Sequence, residues 1–274
     1  MKIIFTLAIL FFFIASVSAQ ELVSNRGEHI LPEKGNWGIA FDAVPFLQYA
    51  GNLLNNSTSN ATPQVKFPSG YQNTLVLKKY KSDSRAIRFK FTKGSVEKKD
   101  SLFVVDLGSS NPAPSVWDGK KITRNNFAIG IGFQKEKGKG RLRGYRGAEV
   151  LFGFPSTVIN YTYGGGPLTQ FNWLHTNSFA QGAGVTEIKD GRTFSINLHI
   201  VIGAEYFFAP KISLSAEFSW GMKYQAQQDG KKTKEASNFS TNKLKTTSVP
   251  VPGDSSFLVD NDNNAGSINL AIYF

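Results

Sequence analysis

Three observations predict an all-β fold, an eight-stranded antiparallel up-and-down transmembrane β-barrel. Apolar residues recur at every second position in eight segments of the chain. The connections between these segments alternate strictly between short and long. The face opposite the apolar one is built of small and polar residues. Period-2 alternation is the signature of strands with two different faces, and short turns at one end with long loops at the other describe a membrane barrel.

The first segment, 36–44, sets Trp37, Ile39, Phe41 and Ala43 on one face. The second, 73–80, has no clear apolar side. The third, 86–93, opposes Ile87, Phe89 and Phe91 to Arg88, Lys90 and Thr92. The fourth, 126–134, opposes Phe127, Ile129, Ile131 and Phe133 to Ala128, Gly130, Gly132 and Gln134. The fifth, 142–154, carries Ala148, Val150, Phe152 and Phe154 against Tyr145, Gly147, Glu149 and Gly153. The sixth alternates from Thr193 to Tyr206 and the seventh from Ile212 to Tyr224. Both are long for the strands of globular proteins, usually about five or six residues. The eighth, 266–274, opposes Ile268, Leu270, Ile272 and Phe274 to Ser267, Asn269, Ala271 and Tyr273. Short connections fall at 81–85, 135–141 and 207–211, and long polar ones at 47–72, 94–125, 155–191 and 225–265.

A soluble sandwich would turn the apolar face to a core and the other face to water. Here the other face holds Gly38, Ala40, Gly130, Gly132, Gly147, Gly203 and Gly221. Such small residues suit a narrow lumen, where backbones crowd. Aromatics also stand at both ends of the strands. Trp37, Tyr206 and Phe207 lie at the short-turn end, and Phe154, Trp220 and Tyr224 at the long-loop end, in the manner of interfacial girdles.

The chain of 274 residues has no cysteine, which excludes a disulfide scaffold, a thiol enzyme and a cysteine-acylated lipoprotein. Residues 1–19 have the form of a secretory signal peptide. Lys2 precedes the apolar run IIFTLAILFFFI, and small residues precede a cut between Ala19 and Gln20. That run is short of the ~20 residues a spanning helix needs. The expected organisation is a signal peptide at 1–19, a periplasmic lead at 20–35 and a barrel at 36–274. The net charge of +11 raises nucleic acid as a partner, but a secreted chain excludes it, so the charge points to membrane phosphates instead.

The last strand, INLAIYF with a terminal Phe274, resembles the assembly signal of Gram-negative outer-membrane barrels. The stretches GNWGIAFDAVPFLQYAGNLLN (35–55), KGKGRLRGYRGAEVLFGF (137–154) and VIGAEYFFAPKISL (201–214) are similar to small barrels of the broad porin-like group, of the OmpA and OmpX type. The resemblance covers most of the expected mature chain outside the loops. It implies location in the cell outer membrane and reading of Phe274 by the barrel-insertion machinery. It implies no substrate.

An eight-stranded barrel has an interior just wide enough for side chains to fill. The inward face supplies Asp42, Glu149, Glu205 and Glu217, with Arg88, Lys90 and Lys223, and Lys78 and Arg143 toward the rim. Charges in so narrow a space must pair, because desolvating one alone is prohibitive. The expected function is therefore non-enzymatic: a barrel plugged by salt bridges, giving structural support or displaying its loops. The alternatives are a narrow or gated porin, and an outer-membrane lipid or peptide hydrolase. A hydrolase would use His199 with Ser195, Ser213 or Ser215, because a nucleophile needs a base in reach. No pattern for a cofactor or metal is complete: Gly164-Gly165-Gly166 lacks the following Lys, and Asp260, Asn261, Asp262 and Asn263 lack the distal Glu of a calcium loop. The remaining basic residues cluster at the short turns: Lys79, Lys81, Arg85, Lys135, Lys137, Lys139 and Arg141 form an expected periplasmic collar against phospholipid phosphates. The four long loops offer surfaces for an extracellular ligand.

Overall fold

The computed structural model describes residues 22–43, 72–105, 115–138, 140–165, 168, 174–175, 177–238, 240–241, 243–259 and 266–274. The expected signal peptide, the loop at 47–71, Lys139 and Asp260–Asn263 lie outside these residues, as does the side chain of Asp42.

All regular structure among the described residues is antiparallel β. The strands are β1 (Trp37–Asp42), β2 (Gln72–Ser82), β3 (Arg85–Val105), β4 (Ser115–Lys137), β5 (Leu142–Gly153), β6 (Ser156–Thr162) and β7 (Val185–Lys189). They continue with β8 (Thr193–Ala209), β9 (Ile212–Gln227), β10 (Gly230–Ser237), β11 (Leu244–Val251), β12 (Ser255–Val259) and β13 (Gly266–Tyr273). The pairings form a cycle: β1 with β2, β2 with β3, β3 with β4, β4 with β5, β5 with β8, β8 with β9, β9 with β13, and β13 back to β1.

The described residues form a sheet of thirteen strands, eight of them in this cycle, and three of the four expected open loops are corrected because they contain strands. The region 94–125 is mostly hairpin, in unbroken register from Gly94 opposite Asn126 to Val105 opposite Ser115. The region 155–191 holds β6 and β7, and 225–265 holds β10, β11 and β12. These strands show no period-2 apolar alternation: β7 and β10 are polar on both faces, and β12 has Phe257, Leu258 and Val259 in a row. Backbone pairing alone defines them.

The upper half of β4 changes partner. Ala128–Lys137 pairs with β5, whereas Gly119–Asn125 pairs with β6. From there β7, β10 and β11 continue the sheet away from the ring. Pro155, between β5 and β6, marks the break. β11 ends this sheet and carries Pro250, Lys243 beside it and Lys245, residues that blunt a free edge.

Period-2 burial runs through the ring. β5 alternates from exposed Leu142 to buried Gly153, and β9 from buried Ser213 to exposed Trp220. The residues turned inward are mostly polar, and those turned outward are Leu75, Phe91, Ile131, Phe133, Leu198, Ile200, Ile202 and Phe218. Phe133 is 61% exposed and Arg88 is 2% exposed. Trp37, Tyr206, Phe154, Trp220 and Tyr224 also face outward. Phe207 does not: it is fully buried. Consecutive residues of a strand point to opposite faces, so Tyr206 and Phe207 could not share one.

The lead at 22–36 has a structural role that its sequence did not reveal. Ile30, Leu31 and Pro32 are buried, and Ile30 and Leu31 join the apolar cluster of Ala40, Val76, Tyr80, Ala86, Phe207, Ala271 and Tyr273 at the short-turn end. Lys211, with φ of 55°, donates its N–H to the Ile30 carbonyl and accepts from the Tyr273 N–H. The lead thus lies across that mouth of the ring.

Candidate functional site

The charged interior is the candidate site. β2 and β3 supply the cations Lys78, Arg88 and Lys90, and β5, β8 and β9 supply the acids Glu149, Glu205 and Glu217. Around the cycle β2 lies four pairings from β8 in either direction, and β3 lies four from β9. Ion pairs between these strands therefore join opposite walls. Lys78 Nζ is 2.9 Å from Glu205 Oε2, and Arg88 holds Glu217 through both Nη atoms, at 2.8 and 3.0 Å. Lys90 Nζ lies 2.7 Å from Glu149 Oε1, and Arg88 Nη2 lies 3.7 Å from Glu149 Oε2.

Tyrosines complete the coordination. Glu205 also accepts hydrogen bonds from Ser213 and Tyr273. Lys78 Nζ donates to Tyr273 Oη at 3.0 Å and stands over the Tyr145 ring, 5.5 Å from its centroid. Tyr145 donates to Glu217 Oε2 at 2.9 Å. Nearer the short turns, Glu136 accepts from Tyr80, from Gln134 Nε2 at 2.9 Å and from Arg143 Nη1 at 3.0 Å. Glycines make room for the rings. A Cβ at Gly203 would run into Tyr145, and one at Gly38 into Tyr273; each glycine faces its tyrosine across a strand pair.

Lys78, Arg88, Lys90 and Arg143 thus meet Glu136, Glu149, Glu205 and Glu217, four cations to four acids. Of the residues the sequence singles out, Arg88, Lys90, Glu149, Glu205 and Glu217 come together. Lys223 is half-buried, opposite Asn197. One of the two rim assignments is corrected. Lys78 is 3% exposed and central, which corrects its place, whereas Arg143 stays at the short-turn rim, buried between Glu136 and the Asp83 carbonyl. Glu136 and Tyr80 were missed, and Gln134, read on the inward face, was given no role. The alternation of 134–137 places Gln134 and Glu136 on one face and Lys135 and Lys137 on the other, and that was the available signal.

The register separates the components of a hydrolase. His199 faces Gly221 on β9, and its Nδ1 lies 3.5 Å from Glu149 Oε1. Ser215 faces Glu205, six residues along β8, or about 20 Å at strand rise. Ser213 bonds to Glu205, and Ser195 is four residues from His199, about 13 Å along the strand. Among the described residues no group of three His, Asp or Glu side chains is placed to hold a metal ion.

The short-turn cations divide between the two faces. Lys79 donates to the Gly35 carbonyl at 2.6 Å and stacks over Trp37, and Arg141 donates to the Phe208 carbonyl at 3.3 Å. Lys81, Arg85, Lys135 and Lys137 are exposed. Trp117 stands on β4 and stacks on Phe103. Phe171 and Trp173, which with Trp117 are the loop aromatics the sequence offers as contact anchors, lie outside the described residues.

No family model matches the chain, and no curated protein matches it. Among solved structures, it is similar to the outer membrane protein OprG of Pseudomonas aeruginosa. That likeness spans 89% of this chain and 98% of the other, with 14% identity and a TM-score of 0.33.

Proposed function

We propose that the protein is a non-enzymatic outer-membrane β-barrel of eight spanning strands, sealed by its interior ion pairs, which presents a folded polar sheet at the cell surface. The inverted distribution of residues carries this reading: charged and polar side chains fill the interior, while large apolar side chains cover the outside. Water would penalise so large an apolar exterior, whereas lipid favours it and requires a closed, edgeless sheet. The cross-ring pairs Lys78–Glu205 and Arg88–Glu217 support closure to solutes, because an interior of this width is filled by its own side chains. The short turns then face the periplasm, Phe274 is the residue read by the insertion machinery, and β6, β7, β10 and β11 form the displayed sheet. The role in the cell is structural support or surface display.

Two measurements test it together. Membrane fractions are run on gels with and without boiling, and purified protein is placed in planar bilayers. The expected result is recovery in the outer membrane, a mobility that shifts on boiling, and no steady conductance. Recovery from the soluble periplasm overturns the barrel, and steady nanosiemens-range channels overturn the seal.

A further inference from the structure

We infer that the outer wall carries a binding site for one anionic phospholipid, at the short-turn end of β4, β5, β8 and β9; the inference rests on the membrane orientation proposed above. The register aligns four outward-facing rows there. Leu142, Tyr206 and Leu214 lie nearest the rim. Next come Lys137, Gly144, Ala204 and Ala216, then Lys135, Arg146, Ile202 and Phe218, then Phe133, Ala148, Ile200 and Trp220. The second row is a trough, because Gly144, Ala204 and Ala216 hold almost no side chain between the larger rows on either side. A groove of about 1090 Å³ opens over it, lined in part by Lys135, Lys137, Gly144, Arg146, Ile202 and Phe218. This volume is slightly above that of usual small-ligand clefts, roughly 300–1,000 Å³.

Charge selects the occupant. Lys135, Lys137 and Arg146 border the trough on one side and are exposed. Arg85 faces Lys135 and extends the same row. None of these four makes an ion pair among the described residues. The acids that share their sequence neighbourhood are occupied elsewhere. Glu136 and Glu217 also line the groove, but their side chains are buried in ion pairs with Arg143 and Arg88, and the Asp83 carboxylate accepts the Lys34 N–H at 3.1 Å. The outward positions of these rows contain no Asp or Glu. Cations without counter-charges on a lipid-facing wall attract an anionic headgroup, and their aliphatic stems let them bend toward it. The phosphodiester sits over Gly144, Ala204 and Ala216, within reach of Lys135, Lys137 and Arg146. The acyl chains run over Ile202 and Ile200 into the bilayer.

Gly144 allows a test that leaves the charges in place. A Cβ there would meet only the Lys137 carbonyl oxygen, at 3.9 Å, and its φ is not left-handed. Gly144→Leu therefore fills the trough without disturbing the interior. Full-length protein is refolded in micelles with dihexanoyl phosphatidylglycerol, dihexanoyl phosphatidylcholine or inorganic phosphate, and retained species are counted by native mass spectrometry. The expected result is one phosphatidylglycerol per chain. Its occupancy should fall roughly tenfold or more in K135Q/R146Q, as expected for two cations lost at a lipid surface, and comparably in G144L. Equal retention of the zwitterionic lipid, unchanged binding by G144L, or displacement by inorganic phosphate at matched concentration overturns the site. Each variant must keep the heat-dependent gel mobility. If G144L loses it, A216L fills the same trough in its place. If the unmodified protein lacks that mobility, the barrel reading is what has failed.

Discussion

Lys78 and Glu205 lie 2.9 Å apart inside the ring, and neither side chain reaches solvent appreciably. Such a pair is favourable mainly relative to half of itself. Removing one partner of a buried pair costs about 3–5 kcal/mol, whereas replacing both by apolar residues of similar volume is often neutral. Lys78→Met should therefore destabilise the protein by about that amount, since Glu205 would keep only Ser213 and Tyr273 as donors. The double variant K78M/E205L should recover most of the loss. Urea unfolding in lipid vesicles, followed by tryptophan fluorescence, measures both; a double variant no better than the single would mean that the two residues do not act as a pair. Lys78 was not legible as a central residue because Lys78 and Lys79 are adjacent, in a strand whose apolar face is unclear. Alternation requires that one go in and one out. Only the pairing of Lys78 opposite Gly38 and Arg88 settles which.

The strands of the ring and those beyond it obey different physics. β5, β8 and β9 set large apolar side chains outward and the ion pairs inward, so their sequences alternate strongly. β6, β7 and β10 are held by ladder hydrogen bonds and a few anchors. Asp118, fully buried, accepts from the Gly164 N–H at 3.0 Å and from Ser178. His175 stacks on Tyr163 with ring centroids 4.2 Å apart, next to the bridge between Leu174 and Ala236. Burial holds the His175 imidazole below its ordinary pKa, partly offset by Glu235 and Asp118. The folded sheet thus favours neutral His175. Its contribution is complete above the unfolded value of about 6.5, declines as pH falls below it, and levels off once the folded value is passed. Trypsin cleavage at Lys189, Lys231 and Lys232 should accelerate as pH is lowered through this window, after correction for the protease's own pH dependence. His175→Phe should abolish the change, and an identical profile in that variant would exclude His175 as its source.

For the molecule as a whole, the excess of positive charge resolves into two populations. Inside, the four cations in these ion pairs among the described residues match four acids. Outside, Lys79, Lys81, Arg85, Lys135, Lys137 and Arg146 form a basic belt at the short-turn end. Two barriers cross the same interior: the ion pairs, and the apolar lid of Ile30, Leu31 and Pro32 at one mouth. Replacing Lys78, Arg88, Lys90, Arg143, Glu136, Glu149, Glu205 and Glu217 together by Ser should leave the lid as the main remaining obstacle. Bilayer recordings of this variant should show brief, flickering currents where the unmodified protein shows none. A silent variant that still shifts on boiling would assign the seal to the lid.

Much of the ring was written in local alternation. Which residues face inward follows from period 2, and so Arg88, Lys90, Glu149, Glu205 and Glu217 could be grouped from the chain alone. Their partners could not, because Lys78 and Glu205 are 127 positions apart and meet only when the cycle of strands brings opposite walls together. The strands β6, β7, β10, β11 and β12, which lack period-2 alternation, were hidden for a related reason. With similar residues on both faces they leave no contrast in the sequence, and their existence depends on hydrogen bonds to strands distant in the chain. The lid was hidden because Ile30 and Leu31 are two apolar residues in a short lead, unremarkable until Tyr80, Phe207 and Tyr273 converge to bury them. Period and composition are properties of neighbouring residues, whereas charge pairing, lid closure and strand addition are properties of the closed sheet.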